Sequence, residues 1–265
     1  MVAAIYDPAE YIYNLGQWLY SKRGPFPGFQ FAAMQLPCLQ GLWLASMVQT
    51  GPNQVCNLAA QAFSLSNASG DVSTALDWPD WRFPHNYGTW SKSTAGSKPM
   101  LSSVLNAAIA QRTGALTIGG WCRVGRLSED YSFIWNSDAA GDGDTSSSRL
   151  MYDTSDGQFK YYVKSGAGTV TVNNTTAVAI DTWYFVVGRY NPSTQIDCIV
   201  DTNTASNTTS VPAAITASSL FNILPHSGTM DSDRLVFGEA WIAFCAVPDH
   251  VLAWLYAVQA PGYGK

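Results

Sequence analysis

Acidic side chains are the first candidates for chemistry in this chain, because hydrolysis of a glycosidic bond uses two carboxylates placed on either side of that bond. The chain contains only three glutamates, at Glu10, Glu129 and Glu239. Glu129 is followed directly by Asp130, and neighbouring residues on a β-strand point to opposite faces. The glutamates therefore do not form the required pair, and we expect no enzymatic activity.

The histidines and serines give no sign of a second kind of catalytic site. His85, His226 and His250 are too far apart in sequence to form the closely spaced pair of a metal-binding motif. No serine lies in a Gly-x-Ser-x-Gly turn, and no glycine-rich phosphate loop is present. Each histidine is interpreted as a surface or loop residue.

One acidic cluster has the composition of a calcium-binding loop. Asp138, Asp142 and Asp144 lie in the glycine-rich stretch 138–144. Carboxylate oxygens on a flexible loop suit Ca²⁺, although their spacing differs from that of the helical calcium-sensor loop. A solvated acidic turn is the alternative that we favour, and Ca²⁺ is the one cofactor that the sequence raises.

The aromatic segment 78–90 is the most unusual local feature. Its rings could fill one end of the domain, which is the interpretation we favour, or form a protein interface, or stack on sugar rings. The ligand or interface candidates in this segment are Trp78, Trp81, Phe83, Tyr87 and Trp90.

The composition predicts a large apolar core and a surface with few charges. Hydrophobic residues make up 47% of the 265 residues and charged residues 12%, whereas about a quarter of residues are charged in ordinary globular domains. Such a composition is typical of a subunit that is buried against partners, although a monomer with an uncharged polar surface would share it. The net charge of −5 without a basic run excludes the electrostatic footprint of a nucleic-acid-binding protein.

The cysteines and the hydropathy pattern predict the cellular setting. The cysteines are scattered and form no Cys-x-x-Cys pair, so free thiols in a reducing cytoplasm are the favoured interpretation. No stretch approaches the ~18 apolar residues that cross a bilayer, and the first residues lack the pattern of a signal peptide. We expect neither membrane insertion nor secretion by the usual route. The five cysteines are Cys38, Cys56, Cys122, Cys198 and Cys245.

The segment before residue 25 has the pattern of an amphipathic helix. Asp7, Pro8 and Glu10 are typical of a helix start. The helix is expected either to pack on its own domain, which we favour, or to act as an arm that docks on another protein. Its interface candidates, at helical spacing, are Tyr11, Ile12, Leu15, Trp18 and Leu19.

Beyond residue 115 the hydrophobic period becomes two, which predicts β-strands. No helical segment separates these strands, so a β-sandwich or barrel is expected. A short helix is predicted over 249–257, with a loose end after it, and the stretch 66–114 is predicted to be an irregular functional loop. The predicted strands cover 115–124, 131–136, 158–164, 169–172, 183–190, 195–201 and 234–247, with others around 41–44 and 62–65.

Several of these segments resemble the laminin-G-like jelly rolls of the concanavalin-like sandwich family. Residues 116–121 resemble the opening core strand of that family, in which a Trp points inward. Residues 182–190 and 193–201 resemble two consecutive later strands, and 234–256 is similar to the closing strand and helix. The resemblance implies an antiparallel jelly-roll sandwich. The alternating Glu and Asp residues of the sugar-cleaving members are absent.

A second resemblance covers more of the chain. Segments 39–43, 116–121, 184–194 and 207–213 are similar to virion proteins of tailed bacteriophages that contain this sandwich behind a helical N-terminal arm. This resemblance implies a structural particle protein on the head surface or the tail apparatus.

Together these observations predict an all-β protein with a short N-terminal helical arm (residues 1–30) and a jelly-roll β-sandwich with a short C-terminal helix (31–265). The resemblance implies a virion protein assembled in the host cytoplasm. It would act through protein interfaces, as a head decoration or cement protein or as a tail-associated protein. Major capsid or tail proteins and further copies of the chain are the expected partners. The alternative is a carbohydrate-binding adhesin that attaches the particle to host glycans.

Overall fold

A computed structural model describes residues 28–44, 48–49, 54–55, 65–67, 101–104, 113–128, 130–137, 148–166, 168–215, 220–223 and 235–265. The strands in these ranges are β1 (Leu39–Leu44), β2 (Val48–Gln49), β3 (Gln54–Val55), β4 (Leu65–Asn67), β5 (Leu101–Val104), β6 (Leu116–Val124), β7 (Tyr131–Ser137), β8 (Ser148–Asp153), β9 (Gln158–Ser165), β10 (Gly168–Asn173), β11 (Thr182–Asn191), β12 (Gln195–Val200), β13 (Asn203–Asn207), β14 (Leu220–Ile223) and β15 (Leu235–Ala243). The helices are a 3-10 helix (Gly28–Gln35), α1 (Asp249–Gln259) and a 3-10 turn (Ala260–Tyr263).

The strands form two antiparallel sheets that pack face to face. The smaller sheet has six strands in the order β1-β15-β6-β11-β12-β13, and the larger has nine in the order β10-β9-β8-β7-β14-β5-β4-β3-β2. Apolar side chains from both sheets belong to a single core cluster. This arrangement confirms the predicted antiparallel β-sandwich.

The core between the sheets follows the alternation of each strand. In β9, Phe159, Tyr161 and Val163 are buried in this core, whereas the residues between them are half-buried. A Cβ atom added at Gly188, on β11 of the opposite sheet, would lie 2.4 Å from Cδ2 of Tyr161. The tyrosine ring therefore occupies the space that a side chain at Gly188 would need.

The smaller sheet is buried on its other face as well. A second apolar cluster joins this face to the 3-10 helix, α1 and the C-terminal turn. Trp121 lies in this cluster and stacks on Tyr263, with ring centroids 4.2 Å apart and planes 9° from parallel. The inward Trp121 implied by the resemblance is wrong, because β6 directs Ile118 and Cys122 between the sheets and Trp121 towards the helices.

Arg189 anchors the start of α1 to the smaller sheet. Its Nε donates to Asp197 Oδ2 at 2.7 Å, and its Nη1 donates to the Val247 carbonyl oxygen at 2.8 Å and to Asp249 Oδ1 at 2.5 Å. Asp197 is 2% exposed and accepts two further side-chain hydrogen bonds. These charge-assisted bonds hold the helix start against β11 and β12.

Most predicted strands agree with the observed ones to within one residue at each end, from β6 and β7 through β9 to β12. The predicted C-terminal helix is also confirmed, and it extends two residues further, to Gln259. The strand predicted over 234–247 instead ends at Ala243. Its last predicted residues leave the sheet towards α1, where the Val247 amide donates to Thr117 Oγ1 at 3.0 Å.

Two predictions of irregular structure were wrong within the described residues. The stretch 66–114 contains β5 and most of β4, which pair with each other in the larger sheet, whereas residues 68–100 and 105–112 lie outside the described ranges. The C-terminal end is not loose, because Tyr263 is buried and the Lys265 amide donates to the Ala260 carbonyl oxygen at 3.0 Å. Strands β8, β13 and β14 were not predicted. The strand predicted around 62–65 overlaps β4 at Leu65 alone, and residues 62–64 lie outside the described ranges.

Substitution Gly188→Ala tests the packing of the two sheets. The added methyl group would meet the Tyr161 ring, so we expect a loss of about 1–3 kcal/mol in the free energy of unfolding. Gly168→Ala is the matched control, because a Cβ atom there meets only the Ser165 carbonyl oxygen, at 3.6 Å. Urea unfolding of both variants measures the difference. Equal stabilities would contradict the packing described for Tyr161.

Candidate functional site

A row of hydrogen-bonding and aromatic residues crosses the larger sheet from edge to edge. Directly opposite residues in antiparallel strands lie on the same face, so the strand register places the whole row on one face. The row passes through all nine strands of the sheet, and no Asp or Glu belongs to it. From β2 to β10, this polar row consists of Gln49, Gln54, Ser66, Ser102, Asn222, Trp135, Arg149, Tyr162 and Thr171.

The polar row lies on the face that points away from the sandwich core. The next row of opposite residues, shifted by one position, is apolar and belongs to the core between the sheets. Adjacent residues of a strand point to opposite faces, so Arg149, Tyr162 and Thr171 of the polar row face outward. The inward row contains Ile223, Ile134, Leu150, Tyr161 and Val172.

Arg149 is the charged member of the polar row. It is only 9% exposed although it faces away from the core, and its Nε donates to Ser132 Oγ at 2.6 Å. Tyr162 and Thr171, its neighbours across β9 and β10, are half-buried. This part of the outer face is therefore sheltered from solvent.

A second charged group lies further along the same face, beside the turn between β8 and β9. Lys160 forms an ion pair with the Asp153 carboxylate. Oδ1 of Asp153 also accepts hydrogen bonds from the Ser155 amide at 2.8 Å and the Ser155 hydroxyl at 2.5 Å. Asp130 Oδ1 accepts bonds from the amide and hydroxyl of Thr154, at 2.8 and 2.9 Å. Both carboxylates therefore form hydrogen bonds or ion pairs with residues in or beside this turn.

The two cations of this face influence each other. Burial lowers the pKa of Lys160, Asp130 raises it, and the nearby Arg149 guanidinium lowers it again. The direct ion pair with Asp153 does not reverse the downward direction. This mutual influence agrees with the position of Arg149 and Lys160 on the same face of the neighbouring strands β8 and β9.

Glu239, the one glutamate in the described part of the chain, is far from this face. It lies on β15 in the smaller sheet, beside a bulge between Phe237 and Glu239, and is fully buried. Gln259 Nε2, on α1, donates to Glu239 Oε2 at 2.7 Å, and the Trp121 indole donates to Gln259 Oε1 at 2.8 Å. This chain of hydrogen bonds joins the smaller sheet to α1.

Burial raises the pKa of Glu239 to about 8, and the bond from Gln259 and the nearby Trp241 indole lower it only in part. Neither Glu239 Oε1 nor Trp241 Nε1 completes a hydrogen bond within the described residues. The indole therefore acts on the carboxyl group through the proximity of its N–H dipole. Glu239 is protonated in the folded protein at neutral pH and has a structural role beneath α1.

The site residues predicted from the sequence lie outside the described ranges, so their predictions stay untested. Three groups are concerned: the helical-arm candidates Tyr11, Ile12, Leu15, Trp18 and Leu19; the aromatic candidates Trp78, Trp81, Phe83, Tyr87 and Trp90; and the calcium candidates Asp138, Asp142 and Asp144. Within the described ranges, no group of three His, Cys, Asp or Glu side chains could hold a metal ion. No helix in those ranges is long and apolar enough to cross a membrane.

Sequence reasoning missed the polar row because it missed β8, which carries Arg149. A usable signal was present: Leu150 and Tyr152 alternate with Arg149 and Met151, and the short turn over 154–157 leads into the predicted strand at 158. The two charges and the methionine in β8 weakened that pattern. The full row depends on register across nine strands, which local patterns do not specify.

The two face-to-face antiparallel sheets define a lectin-like β-sandwich. Residues 101–234, just over half of the chain, match the Laminin_G_3 family model, described as the concanavalin A-like lectin/glucanases superfamily. The chain belongs to this superfamily, which confirms the laminin-G-like resemblance of its strands. A comparison with curated proteins finds no significant sequence match.

Solved structures with the same fold include toxin domains and an enzyme. The botulinum neurotoxin serotype D binding domain has a TM-score of 0.59 at 9% identity, covering 86% of this chain and 53% of that one. A botulinum neurotoxin type C structure, from a toxin whose cell entry depends on two ganglioside molecules, has 0.57 at 12%, covering 84% and 51%. Trypanosoma rangeli sialidase has 0.56 at 15%, covering 86% and 34%. At these identities the likeness concerns the fold, and the chain spans about half of each toxin structure and a third of the sialidase.

The pH dependence of stability tests the buried carboxyl group. Because the pKa of Glu239 rises on folding to about 8, the folded state binds its proton more tightly than the unfolded state. Its contribution to stability is complete below about pH 4.3, the usual pKa of Glu. This contribution to the free energy of unfolding is lost as the pH rises from about 4.3 to about 8, at about 1.4 kcal/mol per pH unit. Glu239→Gln cannot ionise, so this slope should disappear from urea unfolding measured at several pH values.

Asp181→Asn provides the control for this measurement. Asp181 is an exposed carboxylate whose nearest cation, Arg123, lies 3.5 Å away. Its removal should leave the slope between pH 4.3 and pH 8 close to that of the unaltered protein. Parallel pH profiles for Glu239→Gln and the unaltered protein would contradict the protonated, buried state of Glu239.

Proposed function

We propose that the protein is a non-catalytic carbohydrate-binding module whose ligand lies along the polar row of the larger sheet. The observation that carries this proposal is the described part of the row, in which the Arg149 guanidinium, the Tyr162 phenol and the Thr171 hydroxyl belong to directly opposite residues of β8, β9 and β10. Sugars are bound through planar hydrogen-bonding groups and aromatic rings, so the composition of the row suits them. Membership of the lectin and glucanase superfamily supports the same function.

The described residues place no pair of carboxylates in the polar row, which supports binding without hydrolysis. Glycosidic bond cleavage uses two carboxyl groups facing one bond, and the polar row contains none. Asp153 forms an ion pair with Lys160, and Asp130 accepts a hydrogen bond from the Thr154 amide in the turn between β8 and β9. Glu239 is buried beneath α1 on the other sheet. Because a fold does not determine a function, these residues support the proposal more directly than the similarity to a sialidase.

Glycan binding is tested with a glycan array followed by calorimetric titration of the strongest ligands. Removing the phenol ring with Tyr162→Ala or the hydroxyl with Thr171→Ala should weaken binding about tenfold or more, because each removes about 1.4 kcal/mol of contact. Thr194→Ala, in the exposed turn between β11 and β12, is the control and should change nothing. Binding that survives both row variants would place the site elsewhere, and an array without any bound glycan would overturn the proposal.

A second candidate function, a structural role in a bacteriophage virion, is favoured by the outer surface of α1. This surface carries Ala253, Trp254, Ala257 and Val258, and Trp254 is 44% exposed. An exposed apolar helix surface is typical of a protein interface. It suits the predicted attachment to other virion proteins, and the carbohydrate-binding row would then make the subunit an adhesin.

Substitution Trp254→Ser tests this attachment. The side chain is 44% exposed, so the variant should fold with only a small loss of stability but join purified particles at a reduced copy number, measured by electron cryo-microscopy. Leu127→Ser, which removes an exposed apolar side chain elsewhere, is the control. Absence of the unaltered protein from particles would reject the virion role, and normal incorporation of Trp254→Ser would exclude α1 as the contact.

A further inference from the structure

We propose that Arg149 binds the anionic group of an acidic sugar, a carboxylate or a sulfate, within the polar row. This inference rests on the proposed carbohydrate-binding function and specifies its ligand class. It starts from a nearly buried guanidinium whose partner among the described residues is a neutral hydroxyl.

The guanidinium group of Arg149 is nearly buried, and the described residues supply no counter-ion for it. The side chain donates from Nε to Ser132 Oγ at 2.6 Å, and no carboxylate pairs with it among the residues that the structure describes. A guanidinium has five N–H donors, so this one bond leaves most of them available. Burying a charge without an opposite charge is costly, and a bound anion would remove that cost.

The acidic residues nearby are already engaged. Asp153 pairs with Lys160 and accepts two bonds from Ser155. Asp130 accepts two bonds from Thr154. The effect of Arg149 on the pKa of Lys160 further indicates that these two cations lie close together. Among the described residues, the hydrogen bonds and ion pair of these carboxylates are therefore made with Lys160, Ser155 and Thr154 and not with Arg149.

The geometry of the row favours a sugar as the carrier of the anion. Tyr162 lies opposite Arg149 in the next strand, and Thr171 lies opposite Tyr162 in the strand beyond it. Both are half-buried, whereas Arg149 is nearly buried, so a ligand lying across β9 and β10 would reach the guanidinium with one end. The planar guanidinium can bind a carboxylate or a sulfate through two parallel hydrogen bonds.

The first measurement compares methyl glucuronide with methyl glucoside, which differ in the carboxylate alone, and adds glucose 6-sulfate as the second anion. We expect the unaltered protein to bind the two acidic sugars at least about tenfold more tightly than the neutral one in calorimetric or NMR titrations. The preference should shrink as NaCl is added. Comparison of the two acidic sugars distinguishes a carboxylate from a sulfate ligand.

Variants then assign the preference to Arg149. Arg149→Gln should abolish it, and Arg149→Lys should retain only a small part, because an ammonium group cannot form the two parallel bonds. Lys164→Gln, on the same face of β9 and half-exposed, is the control for general charge and should reduce affinity by no more than about threefold. Urea unfolding checks that each variant folds, and the comparison of sugars on the unaltered protein needs no variant.

The outcomes separate this inference from the proposed function. Equal binding of glucuronide and glucoside, with both weakened by Tyr162→Ala, would overturn the inference and leave the carbohydrate-binding function standing. An acidic preference that persists in folded Arg149→Gln would also overturn it. Failure to bind any glycan, neutral or acidic, would overturn both proposals together.

Discussion

The burial of the smaller sheet on both of its faces is the constraint on which the rest of the structure depends. One face packs against the larger sheet, and the other is covered by α1 and the two 3-10 elements. Charge-assisted hydrogen bonds from Arg189 hold the start of α1 against the smaller sheet. The hydrogen bonds that link Trp121, Gln259 and Glu239 hold the end of α1 against the same sheet. The polar row lies instead on the outer face of the larger sheet, where Arg149 is nearly buried and Tyr162 and Thr171 are half-buried.

Among the described residues, Glu239 and Arg149 show opposite solutions to the cost of burying an ionisable side chain. Glu239 avoids the cost of a buried charge by holding its proton, since burial raises its pKa to about 8. Arg149 cannot lose its proton, so its charge persists on the outer face with the Ser132 hydroxyl as its described partner. The protonated Glu239 stabilises the packing of α1 on the smaller sheet. Arg149 keeps N–H donors for the proposed sugar ligand, which is why we propose that the ligand binds to the larger sheet.

The fold was largely predictable because its signals are local. Strands such as β6, β9 and β11 have regular alternation and many β-branched or aromatic residues, and their bounds were predicted to within a residue. Strand β8 failed because Arg149 and Met151 weaken its alternation, and β5 failed because Ser102 and Ser103 make it read as a loop. These strands are specified by their partners in the sheet, since edge and central strands depend on neighbouring strands more than on intrinsic preference.

The candidate site was not predictable, since its residues are far apart in sequence. Glu239 also shows the limit of local reasoning: sequence patterns assigned it no catalytic partner and no other role, and its structural role follows from its position beneath α1. The sequence by itself determined the alternating strands, the C-terminal helix and the sandwich class, because side-chain period and composition express these directly. Only the tertiary structure decided which face of each sheet is covered and which residues meet across nine strands. Pairing register is set by long-range contacts, and a shift of one residue would exchange the polar row for the apolar one.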